Sequence, residues 1–293
     1  MSKTFIIARK ELIDYFSSIR YLVVLLTVTL LIGLSTYSTV RGLGESRISF
    51  LELLVRGRPT VITIMSYIAS ILGIALGFDA VNREKRDRTL ILILSCPIYR
   101  DTLLTGKFIS GAISIGITIS LAIALACGNI MALTGIVPSQ EELLRIAVFS
   151  ILSFTYVLSY YAVSLLFSVI VDSASISLLL SMMFWVFNTY IVPSIAWTIA
   201  SIISPESLEG FKVTSAWILM FSINQHYEAT SVCLLNPRAA YRLLLTAPWS
   251  IPLKPLSFAE TMSTVWPSIA VLCMVTVISI MLSYMKFLTK EIT

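Results

Sequence analysis

Apolar residues dominate six long stretches of the chain, at 21–40, 61–78, 109–133, 146–171, 176–203 and 266–287. Each is near or above the ~20 residues that a helix needs to cross about 30 Å of hydrocarbon. Inside a bilayer every backbone N–H and C=O must be satisfied within the segment, so unbroken runs of this kind predict helices rather than strands. Ahead of the first run, Phe5, Ala8, Leu12, Tyr15, Phe16 and Ile19 fall at three- and four-residue steps, with Lys10, Glu11, Asp14 and Ser17 on the opposite side. That pattern predicts an amphipathic helix over residues 1–20, lying in the interface plane. Between the fifth and sixth runs, residues 204–265 alternate Pro205, Pro237, Pro248, Pro252 and Pro255 with apolar pieces at 216–223 and 241–245. Those pieces are too short to span. They predict short helices in an extracytoplasmic loop, partly re-entrant.

Composition agrees with a membrane protein. The chain is 57% hydrophobic and 13% charged, with mean hydropathy +0.91, whereas soluble domains are about 45–50% apolar and about 25% charged. Residues 1–293 read as one transmembrane domain, with no repeat or soluble module. Of the 21 lysines and arginines, 12 lie in the N-terminal tail, the second loop and the C-terminal end, and nine on the other side. Four of those nine sit in the long fifth loop, where charge has little say in translocation, so both termini are expected in the cytoplasm and the protein in the plasma membrane. Basic membrane flanks account for the net charge of +5 without a nucleic-acid partner. The four cysteines have no paired spacing that suggests a metal or redox motif.

Three patterns carry candidate chemistry. The second loop, residues 79–107, is charged: Asp79, Arg83, Glu84, Lys85, Arg86, Asp87 and Arg88 crowd together before Pro97, and Arg100, Asp101 and Lys107 follow it. Helical periodicity on both sides of the proline sets this loop apart from a simple linker. Small residues recur at four-residue steps as Ala69, Gly73 and Gly77, and as Ser110, Ser114, Thr118, Ala122 and Ala126, a spacing that lets helix backbones approach closely. Ser153, Tyr156, Tyr160 and Ser164 form one polar stripe of the fourth run, and Asn188 precedes Pro193 in the fifth. Polar groups at membrane depth meet protein or water rather than lipid, so Ser153, Tyr156, Tyr160 and Asn188 either line a substrate path or bond neighbouring helices.

Enzymatic readings find little purchase. His226 is the single histidine, and neither an H-E-x-x-H motif nor a GxxxxGK[ST] phosphate loop occurs, so no catalytic residue, metal ligand or bound cofactor is assigned. His226 and Glu228 in the fifth loop read as a hydrogen-bonded cap contact rather than a weak metal site, since one histidine is more often structural. An ion-coupled carrier or channel is the competing class, but none of the six runs carries a central charged residue for coupling.

Three segments together resemble the ABC-2 type permeases, membrane subunits of ATP-binding-cassette transporters. They are IARKELIDYFSSIRYL (7–22), the 77–107 segment with Thr89-Leu90, Pro97 and Gly106-Lys107, and LLNPRAAYRLLL (234–245). Within the family the pattern is similar to the permease of the copper-site maturation system of nitrous oxide reductase. One position departs: Arg88 stands where family members commonly have glycine. The resemblance implies an all-α membrane fold of the six-helix, type V exporter-like kind, with a connecting helix at the N-terminus and a coupling helix in the second loop. It implies Arg83, Glu84, Asp87, Arg88, Leu90 and Arg100 as the residues coupled to an ATPase. The partners it implies are two ABC ATPase subunits that bring ATP and Mg, a second permease subunit as homodimer or heterodimer, and an extracytoplasmic binding protein. Export is the implied direction.

Overall fold

The computed structural model describes residues 3–42, 49–56, 59–86, 99–205, 207–236 and 257–289. Among them, six helical segments are long and apolar enough to cross a membrane: Ile19–Arg41, Val61–Arg86, Arg100–Thr134, Gln140–Ile170, Ala174–Ile203 and Phe258–Thr289. All six expected spans are present. The helices are α1 (Lys3–Phe16), α2 (Ile19–Arg41), α3 (Phe50–Arg56), α4 (Val61–Ile64), α5 (Ser70–Gly77), α6 (Asn82–Arg86), α7 (Arg100–Thr134), α8 (Gln140–Ile170), α9 (Ala174–Val186), α10 (Val192–Ile203), α11 (Leu208–Leu219), α12 (Ile223–Leu235) and α13 (Phe258–Thr289). A π-helical turn, Met65–Ala69, joins α4 to α5, and another, Phe187–Ile191, joins α9 to α10.

The bundle is built around α8, which touches α5, α7, α9, α12 and α13. A Ser139–Glu142 capping box starts this helix by satisfying its first free N–H groups. Small residues decide who its neighbours are. A β-carbon on Gly73 would lie 2.5 Å from the Val157 carbonyl oxygen, and one on Gly77 2.7 Å from that of Tyr161, so the Ala69–Gly73–Gly77 stripe brings α5 into backbone contact with α8. On α7 the stripe Ser110, Ser114, Thr118, Ala122 and Ala126 is buried, while Ile109, Ile113, Ile117, Leu121 and Leu125, one position back and about 100° around the helix, are exposed. Small residues inward and large aliphatic ones outward suit a helix whose outer face meets lipid tails. The stripes are helix contacts within one chain.

The N-terminal helix forms as expected but presents a different face inward. Ala8 and Glu11 are its buried residues, and Phe5, Ile6, Ile13 and Phe16 are exposed. Glu11, read from periodicity as part of the polar outer face, turns in because a buried lysine on α7 waits there. Ile7 and Thr4 lie against Gly106, where a side chain would collide with Ile7.

The described part of the fifth loop turns back into the bundle. Helix α11 packs along α10, and α12 returns against α8 and α13. The turn between them abuts the middle of the fifth span: Ser222 Oγ donates to the Asn188 carbonyl at 2.7 Å, and the Ile223 N–H donates to Asn188 Oδ1 at 3.1 Å. The fifth span makes this possible. In the π register the Asn188 carbonyl would pair with residue 193, which is proline and has no N–H, so the carbonyl is left for Ser222. Ser222 also caps α12 by accepting from the Gln225 N–H, so the helix start is satisfied where no water reaches. The far end of α12 is fixed by buried Arg145, which donates to the Leu234 carbonyl and to Thr261 Oγ1 and pairs with Glu141 at 2.9 Å. His226 is buried between Met220 and Ser268. Its Nε2 donates to the Met220 carbonyl at 2.8 Å, which leaves Nδ1 to accept from Ser268 Oγ at 3.1 Å.

Candidate functional site

The termini and the second loop meet at one end of the bundle, where charge is concentrated in and around the protein interior. Lys107, on the first turns of α7, is fully buried, and its ammonium lies 3.0 Å from Glu11 Oε1 and 2.8 Å from Glu84 Oε1. The two carboxylates come from α1 and α6, so one cation holds three elements together. Lys10 closes the cluster from the solvent side, 3.2 Å from Glu11, 3.4 Å from Asp14 and 3.9 Å from Glu84. Arg83 continues it to Asp14 at 2.8 Å, and Arg20 bonds Asp79 at 3.2 Å. Three carboxylates face three cations in this chain of contacts, and Arg20–Asp79 adds a separate pair. A buried ion must be paired to be tolerated at all, and the alternation of sign meets that requirement.

Electrostatics at the rim follow the same balance. Burial would raise the Glu11 carboxyl, but the ammoniums of Lys107 and Lys10 and their hydrogen bonds outweigh it and hold the group below its ordinary value. Burial likewise opposes the charge on Lys10, and Glu11, Glu84 and Asp14 more than offset that, so its ammonium is held above the ordinary value. Both groups stay charged at neutral pH.

The short α6 is fastened on every side. The Val81 and Asn82 N–H groups donate to Ser168 Oγ on α8 at 3.0 and 3.2 Å. Lys85 bonds the Val169 carbonyl and pairs with Asp172 at 3.2 Å. Arg83 reaches α1 and Glu84 reaches α7. Across the loop, Arg100 donates to the Phe287 carbonyl in the last turns of α13, and Thr105 bonds Tyr284 on the same helix. Segments entering and leaving the second loop are thus tied to the first, third, fourth and sixth spans.

The sequence-derived coupling residues divide accordingly. Arg83, Glu84 and Arg100 lie in this junction; Asp87, Arg88 and Leu90 fall outside the described residues. Glu84 needs a correction. Implied by the resemblance as an ATPase-coupled residue, it is 3% exposed and turned inward to Lys107, so it is no open surface charge in this chain.

The polar stripe of the fourth span lies in the interior of this one chain. Ser153 Oγ bonds Tyr227 OH at 2.9 Å. The Tyr156 hydroxyl lies 2.9 Å from the Ser66 carbonyl and 2.8 Å from Asn224 Oδ1, while its ring stacks on Tyr227 at 4.1 Å. Tyr160 packs edge-on to Tyr156 and Phe184. Ser164 bonds the Ile74 carbonyl and Ser181. Asn188 holds the start of α12. These contacts are of the second kind read from the sequence, hydrogen bonding between helices, and α12 supplies partners of Ser153, Tyr156 and Asn188.

The expected His226–Glu228 contact does not form: His226 is held by Met220 and Ser268, and Glu228 turns to other partners. Glu228 on α12 accepts from Ser66 Oγ on the second span at 2.7 Å and from Asn224 Nδ2 at 3.3 Å. Scanning the spans for a central charge misses it, since a 13-residue helix is too short to count as a span.

A family model described as "ABC-2 family transporter protein" matches residues 5–292. The "Probable ABC transporter permease protein NosY" of Pseudomonas aeruginosa is similar to this chain, 27% identical over 145 residues that make up 49% of the chain and 50% of that protein. The match spans about half the length of that relative.

Proposed function

The chain belongs to the ABC-2 family of transporter proteins, and from that premise we propose that it is the membrane-spanning permease subunit of an ATP-driven exporter. Hydrolysis is supplied by separate ATPase subunits, two per complex, and a second permease subunit completes the pathway. The charged end of the bundle, with both termini, faces the cytoplasm, in keeping with the excess of lysine and arginine there.

The observation that carries this reading is the anchoring of α6. A helix that hands the chain on to residues 87–98 is tied by ion pairs and hydrogen bonds to α1, α7 and α8. A push on the segment beyond it, with Asp87, Arg88 and Leu90 as the contact residues, therefore moves the second, third and fourth spans together instead of bending a loose loop. Ionic contacts set the choice of ATPase partner, and apolar contacts such as Leu90 supply buried area. The interior Ser153, Tyr156, Tyr160 and Asn188 keep α12 in register with the spans while this happens.

Two measurements test the reading. Affinity purification of the tagged chain from its own membranes should bring down an ATP-hydrolysing subunit in equal amount. A folded permease that arrives with no such subunit overturns the assignment. Single cysteines at Lys286 and Val137, in a cysteine-free background, should differ in intact cells, with an impermeant maleimide labelling only position 137. The reverse pattern overturns the orientation.

A further inference from the structure

Helix α12 carries a carboxylate to membrane depth. Its partner Ser66 lies in the π-helical turn of the second span, about 20 Å along that span from Asp79 at the charged end, where the hydrocarbon of a bilayer is about 30 Å thick. Tyr156 and Asn188, near the middle of the fourth and fifth spans, contact the first residues of the same helix. Glu228 is only partly buried, and the groups bonded to it, Ser66 and Asn224, are both neutral. Neutral hydrogen bonds hold one of its oxygens in place without cancelling the charge. Acidic groups at such depth face a water-filled path or a cation, and lipid tails offer neither.

Beside this carboxylate three aromatic rings join the second and fifth spans. Tyr67, next to Ser66, lies 6.4 Å from Trp185 and 6.1 Å from Tyr190, and Trp185 lies 5.9 Å from Tyr190, mostly edge to face. The Trp185 indole N–H is turned inward to Ser70 Oγ at 2.8 Å, which fixes the ring. Tyr190 is half exposed and Glu228 only partly buried, so neither is sealed inside the chain. Tyr67 follows directly on Ser66, whose hydroxyl is bonded to Glu228, so its ring starts from the backbone beside the carboxylate.

Aromatic faces beside a fixed anion attract a large, weakly hydrated cation: the ring quadrupole and the carboxylate act in the same direction, and the low dielectric strengthens both. A small hydrated ion gains little from rings, and an anion is repelled. We propose that Glu228, with Tyr67, Trp185 and Tyr190, binds the cationic group of the transported amphiphile, a protonated amine or quaternary ammonium on an apolar body. This rests on the permease reading and adds the substrate class to it.

The full chain in dodecyl maltoside, an uncharged detergent, can be titrated with tetraphenylphosphonium and with tetraphenylborate, ions of one size and opposite sign, by tryptophan quenching. Glu228→Gln keeps the acceptor oxygen for Ser66 and Asn224 and removes the charge. Its phosphonium Kd should rise at least about tenfold, with borate binding unchanged or tighter. Tyr190→Ala, at an exposed ring, should weaken phosphonium binding about fivefold. Equal phosphonium affinity in wild type and Glu228→Gln overturns the proposal. Should Glu228→Gln fail to fold, Tyr190→Ala decides, and unchanged phosphonium affinity in that variant overturns it equally. No ATPase takes part in this titration, so its failure leaves the permease assignment standing, and loss of co-purifying ATPase leaves the titration interpretable.

Discussion

Replacing Lys107 by methionine removes the one cation shared by α1, α6 and α7 while keeping most of the side-chain volume. Glu11 Oε1 and Glu84 Oε1 would then face each other no more than 5.8 Å apart, the sum of their distances to the lysine nitrogen. At an effective dielectric constant of about 20 the repulsion alone is about 3 kcal/mol. Removing one partner from a buried ion pair costs about 3–5 kcal/mol in measured cases. Lys10 touches both carboxylates from the solvent side and keeps the cost near the lower end of that range. For a chain of this size about 3 kcal/mol corresponds to roughly 6–10 °C in unfolding temperature. The assay follows from the cysteines: Cys233 is buried and Cys127 partly so, and a thiol-reactive fluorogenic dye reports their exposure on heating. Adding Glu84→Gln to the methionine variant removes one of the opposed charges and should restore about half of the loss. An unfolding temperature for Lys107→Met within a degree or two of wild type would refute the idea that this cation holds the junction.

Three further outcomes follow from the same contacts. Gly73→Ala places a methyl group 2.5 Å from the Val157 carbonyl and should cost about 1–3 kcal/mol by forcing α5 off α8, read as a lowered unfolding temperature. Tyr156→Phe removes a hydroxyl bonded at the Ser66–Asn224 contact and should lower stability by about 1–2 kcal/mol with unaltered substrate stimulation of the ATPase; altered stimulation at unchanged stability would move Tyr156 into the substrate path. Because the Glu11 carboxyl is held below its ordinary value of 4.5 in the folded chain, the stability it contributes is present above pH 4.5 and is lost as pH falls through its folded value. Glu11→Gln should therefore flatten the acid limb of a stability–pH profile, and an unchanged limb would count against the pairing.

The spans and their neighbours were legible because the bilayer imposes length and the glycine stripes impose closeness. Both constraints are local in sequence, so residues 61–78 and the Ala69–Gly73–Gly77 spacing point directly to a helix and to its close contact. Charge pairing is not local. Periodicity placed Glu11 with Lys10 and Asp14 on an outer face, but Lys107, 96 positions away, makes inward burial the better solution. The inward pairing of Glu84 was hidden for the same reason: its ammonium partner stands at the far end of a loop. A partly re-entrant loop was expected, but not from these residues: α12 falls between the apolar pieces at 216–223 and 241–245, in 13 residues rich in polar groups. The bonds from Ser222 and Ile223 to Asn188, with that from Ser66 to Glu228, reveal how deep Glu228 sits.

The central claim is that the charged end of the bundle receives an ATPase through α6 and the segment after it. A photo-activated cross-linking residue at Arg86, exposed at the end of α6, and another at Val137, exposed in the short connection between α7 and α8 at the opposite end, compare the two ends directly. On irradiation of membranes containing the assembled complex, the expected result is a covalent adduct with the co-purifying ATPase from position 86 and none from position 137. An adduct from position 137, or none from position 86 while the ATPase remains bound, would contradict the claim.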